Sequence, residues 1–105
     1  MMTRKILLVE SDDKNREILK SRLHNAGFNV RAISPLADTD TAGIESNHLL
    51  ILCLPCLKLN LEEALWWIGE WRHKPILILS DAHEPELVVR LLDAGADDFI
   101  RALPL

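Results

Sequence analysis

The stretch Ile6–Asp13, ILLVESDD, decides the fold class, because four apolar residues run without interruption into a polar cluster. A continuous apolar run of this length is typical of a strand buried on both faces, as in a parallel sheet. Ser11 or Asp12 is suited to cap a following helix, since its side-chain oxygen accepts a backbone N–H. The stretch therefore predicts a parallel strand that leads directly into a helix.

Strands and helical stretches continue to alternate along the rest of the chain. The predicted strands are Ile6–Val9, Phe28–Ile33, Leu49–Leu52, Ile76–Leu79 and Asp98–Arg101. The predicted helices are one ended by Gly27, a short or irregular one within Pro35–Asn47, one over Leu61–Trp71 and one over Glu84–Ala94. This alternation predicts an α/β domain with a parallel sheet covered by helices on both faces.

Length and composition favour one globular domain over residues 1–105. The chain is 49% hydrophobic and 27% charged, which argues against disorder, and its net charge of −4 argues against nucleic-acid contact. The longest apolar run, Leu49–Leu57, is about half the length that crosses a bilayer. Two cysteines and no targeting segment predict a cytoplasmic protein with free thiols.

The cysteines form a Cys-Leu-Pro-Cys motif at Cys53–Cys56, directly after a predicted strand. Such a motif near a βαβ unit is typical of thioredoxin-like redox sites, so a thiol redox sensor or oxidoreductase using Cys53 and Cys56 is one hypothesis. The alternative is that Cys53 fills a small space at a strand end while Cys56 lies in the next loop. A zinc site lacks two further ligands at suitable spacing, and we predict no bound metal.

Three segments carry a resemblance to a known family. They are Val9–Phe28, with its Glu-Ser-Asp cluster and Arg16; Pro75–Ser80; and Ala94–Ile100, AGADDFI. The chain resembles the receiver domains of bacterial response regulators, the CheY-like superfamily, over nearly its whole length. The resemblance implies a flavodoxin-like (βα)5 fold, a three-layer sandwich with strand order 2-1-3-4-5. The last helix of that fold is missing or truncated here, which leaves apolar surface for a partner or further residues to cover.

The resemblance also implies a site at the carboxyl ends of the strands. In the family, an aspartate at the end of the third strand accepts a phosphoryl group, and that position is Cys53 here. The acidic pair that holds Mg²⁺ falls on Glu10 and Ser11, with Asp12 beside them, and the lysine that contacts the phosphoryl group falls on Ala102. The sequence thus predicts a degenerate phosphorylation pocket.

The residues that would report phosphorylation are present, because the switch hydroxyl falls on Ser80 and the switch aromatic on Phe99. A thiol cannot form the acyl phosphate, and loss of the lysine removes electrostatic support for transfer. We expect Mg²⁺ binding to be weak or absent, since Ser11 and Cys53 are poor ligands for a hard ion. Arg101 is an alternative source of the missing positive charge, so a receiver with an altered but active site remains an alternative.

Adjacent tryptophans mark the predicted helix that follows the cysteines. Trp66 and Trp67 fall where receivers carry polar surface residues, which predicts a partner or dimer surface. The alternative is that both fold over neighbouring loops. The favoured hypothesis is a non-enzymatic, phosphorylation-independent regulatory domain that acts through a protein partner or a homodimer. It would be the N-terminal part of a response regulator, for example a transcription regulator, whose effector domain lies outside this chain.

Overall fold

The computed structural model describes residues 4–34, 46–54, 61–71, 74–81 and 84–101. The strands are β1 (Lys5–Val9), β2 (Asn29–Ile33), β3 (Leu49–Cys53), β4 (Ile76–Ser80) and β5 (Asp98–Arg101). The helices are α1 (Asp13–Asn25), α2 (Leu61–Glu70) and α3 (Pro85–Ala94). All neighbouring strands pair in parallel in the order β2-β1-β3-β4-β5, so the predicted topology is confirmed.

The helix boundaries follow from capping chemistry that the sequence already indicated. Asp12 is the N-cap of α1, and its Oδ1 accepts a hydrogen bond from the backbone N–H of Asn15 at 2.8 Å. After α1 the chain reverses at Gly27, whose φ of 100° lies in the region that favours glycine. Gly95, with φ 131°, ends α3 in the same way.

The two faces of the sheet are covered unequally. On the first, called the α2–α3 face, Leu7, Val9, Leu50, Leu52 and Ile78 are buried beneath α2 and α3. The other, called the α1 face, buries a smaller cluster of strand residues. Its buried members are Ile6, Leu8, Ile51 and Cys53. Because α1 has no buried residue of its own, this second cluster is the thinner part of the core.

Beyond α1, the α1 face remains partly open to solvent in the described part of the chain. Leu77 and Leu79 of β4 are only partly buried, and Ile100 of β5 is 46% exposed. Register pairs Leu79 with Ile100, so these side chains form a continuous apolar strip along that edge. Of the helix predicted within Pro35–Asn47, only Ser46 and Asn47 are described, and neither is helical; residues 102–105 also lie outside the described part.

The prediction of an exposed tryptophan pair is wrong for Trp67. Trp67 is 1% exposed and packs within the α2–α3 face, together with Trp71, which is also 1% exposed. Ala64, Trp67, Ile68 and Trp71 follow the helical spacing i, i+3, i+4, i+7, so they share one buried stripe. Trp66 points the other way and is 50% exposed.

No helix in the described part of the chain is long and apolar enough to cross a membrane.

Candidate functional site

The candidate site lies where β1, β3 and β4 end, because parallel strands bring their carboxyl ends to one edge of the sheet. Val9 is in register with Leu52, so the next residue on each strand, Glu10 and Cys53, lie side by side. Ser80 ends β4 on the other side of β3, with Leu79 in register with Cys53. The structure therefore sets Glu10 beside Cys53, two residues of the predicted pocket, and places Ser80, the predicted switch hydroxyl, at the same edge of the sheet.

Glu10 is an inward-facing carboxylate. Its side chain is 5% exposed, and its backbone N–H extends the β1–β2 ladder by donating to the Ile33 carbonyl at 3.0 Å. Its Oε1 accepts a hydrogen bond from the Asp12 N–H at 3.0 Å. Arg16 donates from Nη1 to the Glu10 carbonyl at 3.0 Å and pairs with Asp13. The polar cluster around Glu10 in the sequence gave no indication that this carboxylate is buried.

Cys53 lies against Glu10 at the end of β3, as a free and buried thiol. Burial raises its pKa to about 12, and the negative charge of Glu10 and a hydrogen bond with the Glu10 side chain act in the same direction. The thiol is therefore protonated at neutral pH and acts as a hydrogen-bond donor towards the carboxylate. A protonated, buried thiol is a poor nucleophile and a poor ligand for a hard cation.

Ser80 is fixed by a hydrogen bond across the strand ends. Its hydroxyl is buried and donates from Oγ to the Leu54 carbonyl at 2.7 Å. The Leu54 N–H in turn donates to the Leu79 carbonyl at 2.9 Å, which extends the β3–β4 ladder past Cys53. Phe99, the other predicted switch residue, is partly buried and packs against the α2–α3 face. Ser80 and Phe99 therefore lie on the same face of adjacent strands.

The remaining members of the predicted pocket are spread around this edge. Ser11 and Asp12 are exposed, and one Asp12 oxygen is already used as the cap of α1. Among the described residues, no cluster of three or more His, Cys, Asp or Glu side chains forms a metal site. Cys56 and Ala102 lie outside the described residues, so the structure does not test their predicted roles.

Arg101, the alternative cation, lies in register with Ser80 at the end of β5. Strand residues in register share a face, so Arg101 belongs with Ser80 to the α2–α3 face, whereas Cys53 belongs to the α1 face. Arg101 is exposed on this edge strand. Its position is thus on the other side of the sheet from the thiol.

This combination of a doubly covered parallel sheet, strand order 2-1-3-4-5 and a polar site at the ends of β1 and β3 defines the CheY-like receiver fold. The structure is similar to that of a response regulator protein from Burkholderia multivorans, with a TM-score of 0.67, 26% identity, and coverage of 99% of this chain and 86% of the other. It is also similar in fold to the BeF3-activated N-terminal receiver domain of RstA from Klebsiella pneumoniae, with a TM-score of 0.70 and 24% identity over 92% of this chain and 84% of that chain.

A curated relative agrees with the structural neighbours. The chain is 35% identical over 98 residues to the swarming motility regulation protein RssB of Serratia marcescens, covering 90% of this chain and 44% of that protein. No protein-family model matches the sequence. The chain thus has the receiver fold of response regulators, and the curated relatives that it matches are response regulators. It spans less than half the length of the curated relatives that it matches.

Proposed function

We propose that this receiver domain regulates its output without being phosphorylated. The observation that carries the proposal is the Cys53 thiol, which stands at the end of β3, is buried, has a pKa of about 12 and is hydrogen bonded to Glu10. By the family resemblance, this is the position of the phosphoacceptor aspartate. A neutral thiol supplies neither the carboxylate that forms an acyl phosphate nor a ligand that Mg²⁺ prefers.

The surroundings of Cys53 support the same proposal. The nearest carboxylate, Glu10, already accepts hydrogen bonds from the thiol and from the Asp12 N–H, so binding a cation would require breaking them. Arg101 belongs to the opposite face of the sheet from Cys53. A phosphoryl group next to Glu10 would face a buried negative charge, which disfavours transfer.

The test is treatment of the 105-residue chain with acetyl phosphate and Mg²⁺, followed by intact-mass analysis under conditions that preserve acyl phosphates. We expect no phosphoryl adduct, whereas an aspartate-bearing receiver domain treated in parallel gains one. The matched variant Cys53→Asp tests whether the acceptor alone is limiting. A stoichiometric phosphoryl adduct on the unaltered chain would overturn the proposal.

The second candidate function, a thiol redox site, is disfavoured by the same geometry. In a redox-active Cys-x-x-Cys motif the first cysteine is the nucleophile and has a lowered pKa, but burial and Glu10 raise the pKa of Cys53. A redox titration of Cys53 and Cys56 discriminates the two functions. A potential in the thioredoxin range, lost in Cys53→Ser, would support the redox function instead.

We further propose that the domain acts through protein contacts and is not an enzyme. Val89 and Leu92 of α3 are 53% and 40% exposed, and Trp66 of α2 is 50% exposed, so both helices offer apolar surface to a partner or a second copy.

The domain would be the cytoplasmic, N-terminal regulatory part of a bacterial response regulator. Its effector domain would correspond to the part of the relatives that this chain does not match. The transcriptional regulatory protein SrrA of Staphylococcus aureus, 28% identical over 102 residues, suggests an output in transcription regulation.

A further inference from the structure

Trp66 is a rigid aromatic side chain on the surface of α2. Half of it is exposed, and its ring stands edge-on to that of Trp67, with ring centroids 5.1 Å apart and planes at 86°. Because Trp67 is itself fixed in the core, the Trp66 ring is held in place before any partner arrives. Large aromatic side chains of this kind are typical anchors of protein interfaces, since binding orders little that is not already ordered.

Acidic residues surround this ring along the helix. Glu62 lies one turn before Trp66 and Glu70 one turn after it, so all three share the exposed face of α2, together with Gly69. We call this set of four residues the Trp66 surface. Glu62 lies at the positive N-terminal end of the helix, where a negative charge stabilises it. Glu70 lies at the negative C-terminal end, where a negative charge does not. Helix stability therefore does not account for Glu70, which makes no ion pair with another described residue.

The Trp66 surface continues into a cleft of about 740 Å³ between the C-terminal ends of α2 and α3. Gly69 and Gly95 line it on the two helices, and Asp97 lines it at the start of β5. Lys74, which also lines it, donates to the Asn47 carbonyl at 3.1 Å, and its Nζ lies 5.1 Å from the centroid of the Trp71 ring. Among its described lining residues the cleft thus combines the Asp97 carboxylate, whose Oδ2 accepts from the Ile76 N–H at 2.8 Å, with the negative ends of two helices, and the Lys74 ammonium is already engaged.

The packing of the described residues does not explain why residue 69 is a glycine. A glycine inside a helix destabilises it relative to alanine, and a Cβ added here would have no atom within 4 Å. The fold itself therefore has room for a side chain at this position. A glycine that joins an exposed tryptophan to a cleft instead allows another polypeptide backbone to approach the helix closely.

We propose that the Trp66 surface and the adjoining cleft bind a basic peptide segment of a partner protein. An arginine or lysine of that segment packs on the Trp66 ring between Glu62 and Glu70, and the segment's backbone passes Gly69 towards Asp97. The aromatic face and the flanking carboxylates both attract a cation, and a guanidinium uses both at once because it stacks and forms paired hydrogen bonds. This inference rests on the proposed role of the domain in protein contacts and defines the chemistry of one partner.

The experiment is an NMR titration of the ¹⁵N-labelled 105-residue chain with a blocked hexapeptide of alternating arginine and glycine. The same peptide with glutamate in place of arginine is the charge control. We expect saturable shifts of the Trp66 indole N–H, of the α2 amides and of Gly95 and Asp97, with the arginine peptide only. Shifts spread evenly over the acidic residues of the chain, or no binding at all, would overturn the inference.

Variants separate the surface from general charge attraction. Trp66→Ala should weaken peptide binding about five-fold, the usual size of a cation–π contact, and Glu62→Gln combined with Glu70→Gln should weaken it similarly. Glu17→Gln, an exposed carboxylate on α1, is the matched control and should leave binding unchanged. An equal loss in Glu17→Gln and the α2 variants would contradict a defined site.

Gly69→Ala gives a readout that damage to the fold cannot imitate. It should raise the melting temperature, because alanine favours the helix and meets no neighbour, yet weaken peptide binding by blocking the backbone approach. A more stable variant with unchanged affinity would contradict the proposed path past Gly69. The outcome of the acetyl phosphate assay does not depend on whether the peptide binds. Failure of this inference is therefore distinguishable from failure of the proposal on phosphorylation.

Discussion

The two faces of the sheet differ in how they are sealed, and the candidate site belongs to the weaker one. The α2–α3 face is closed by buried side chains of two helices, including Trp67, and by Trp71 directly after α2; each tryptophan is 1% exposed. On the α1 face the strand residues are buried, but the helix that covers them contributes only partly buried side chains such as Leu19 and Leu23. Stability is therefore concentrated on one side of the sheet.

This asymmetry explains how a thiol and a carboxylate can be neighbours at the strand ends. Cys53 points towards the α1 face, where it belongs to the small cluster with Ile6, Leu8 and Ile51. A protonated thiol suits this setting, because it is nearly apolar and still donates to Glu10. Ser80, on the opposite side of the same edge, instead ties two strands through the Leu54 carbonyl.

The largest effect expected from this comparison is that of Trp67→Ala. Removal of a fully buried tryptophan from the α2–α3 face should lower the free energy of unfolding by about 3–5 kcal/mol. Leu23→Ala, its counterpart on the α1 face, should cost only about 1–2 kcal/mol because Leu23 is partly buried. Urea denaturation followed by circular dichroism measures both. Equal losses would show that the α1 face contributes as much as the α2–α3 face.

The fold was predictable because its inner strands are continuous apolar runs and its helices end at glycines. β1, β4 and β5 start or end within one residue of the expected positions, as does β3, which gains Cys53. The error on Trp67 arose from the family resemblance, which places polar surface residues at the positions of Trp66 and Trp67. The spacing of Ala64, Trp67 and Trp71 already indicated a buried stripe that includes Trp67. The width of that stripe, however, depends on how α3 packs against α2.

The candidate site was less predictable than the fold. The positions of Glu10, Cys53 and Ser80 at one edge follow from strand order; the structure sets Glu10 beside Cys53, and Ser80 lies at the same edge on the opposite face of the sheet. The inward direction of the Glu10 carboxylate does not follow from its place in a polar cluster. It depends on a hydrogen bond from the Asp12 N–H and on the register that sets Glu10 beside Cys53, both of which are properties of the assembled sheet.

A second prediction tests the state of the thiol through the pH dependence of stability. The pKa of Cys53 is raised from 9.0 to about 12, so the unfolded chain loses this proton at a lower pH than the folded chain does. The stabilisation is fully present below pH 9 and is lost progressively as pH rises towards 12. At pH 10.5 it should have fallen by about 2 kcal/mol relative to pH 7.5.

Cys53→Ala is the matched control, because it removes this one titration and retains Cys56 and every other ionisable group. The free energy of unfolding should fall more steeply between pH 7.5 and 10.5 in the unaltered chain than in the variant. Parallel loss in the two proteins would contradict a buried, protonated thiol held by Glu10. It would also reopen the redox function, which requires a reactive thiolate at this position.

The smallest expected effect is the difference in stability cost between alanine substitutions at the two glycines with positive φ. Gly27→Ala, next to α1, should cost about 1 kcal/mol, since alanine disfavours φ of 100° but its Cβ would meet no neighbour within 4 Å. At Gly95 a Cβ would lie 3.1 Å from Cγ2 of Ile68, which is buried in the α2–α3 face. Because Ile68 has little room to move, Gly95→Ala should cost about 0.5–1 kcal/mol more than Gly27→Ala. Thermal denaturation of the two variants measures this difference, and equal costs would mean that the α2–α3 face yields around Ile68 as readily as the open α1 face does.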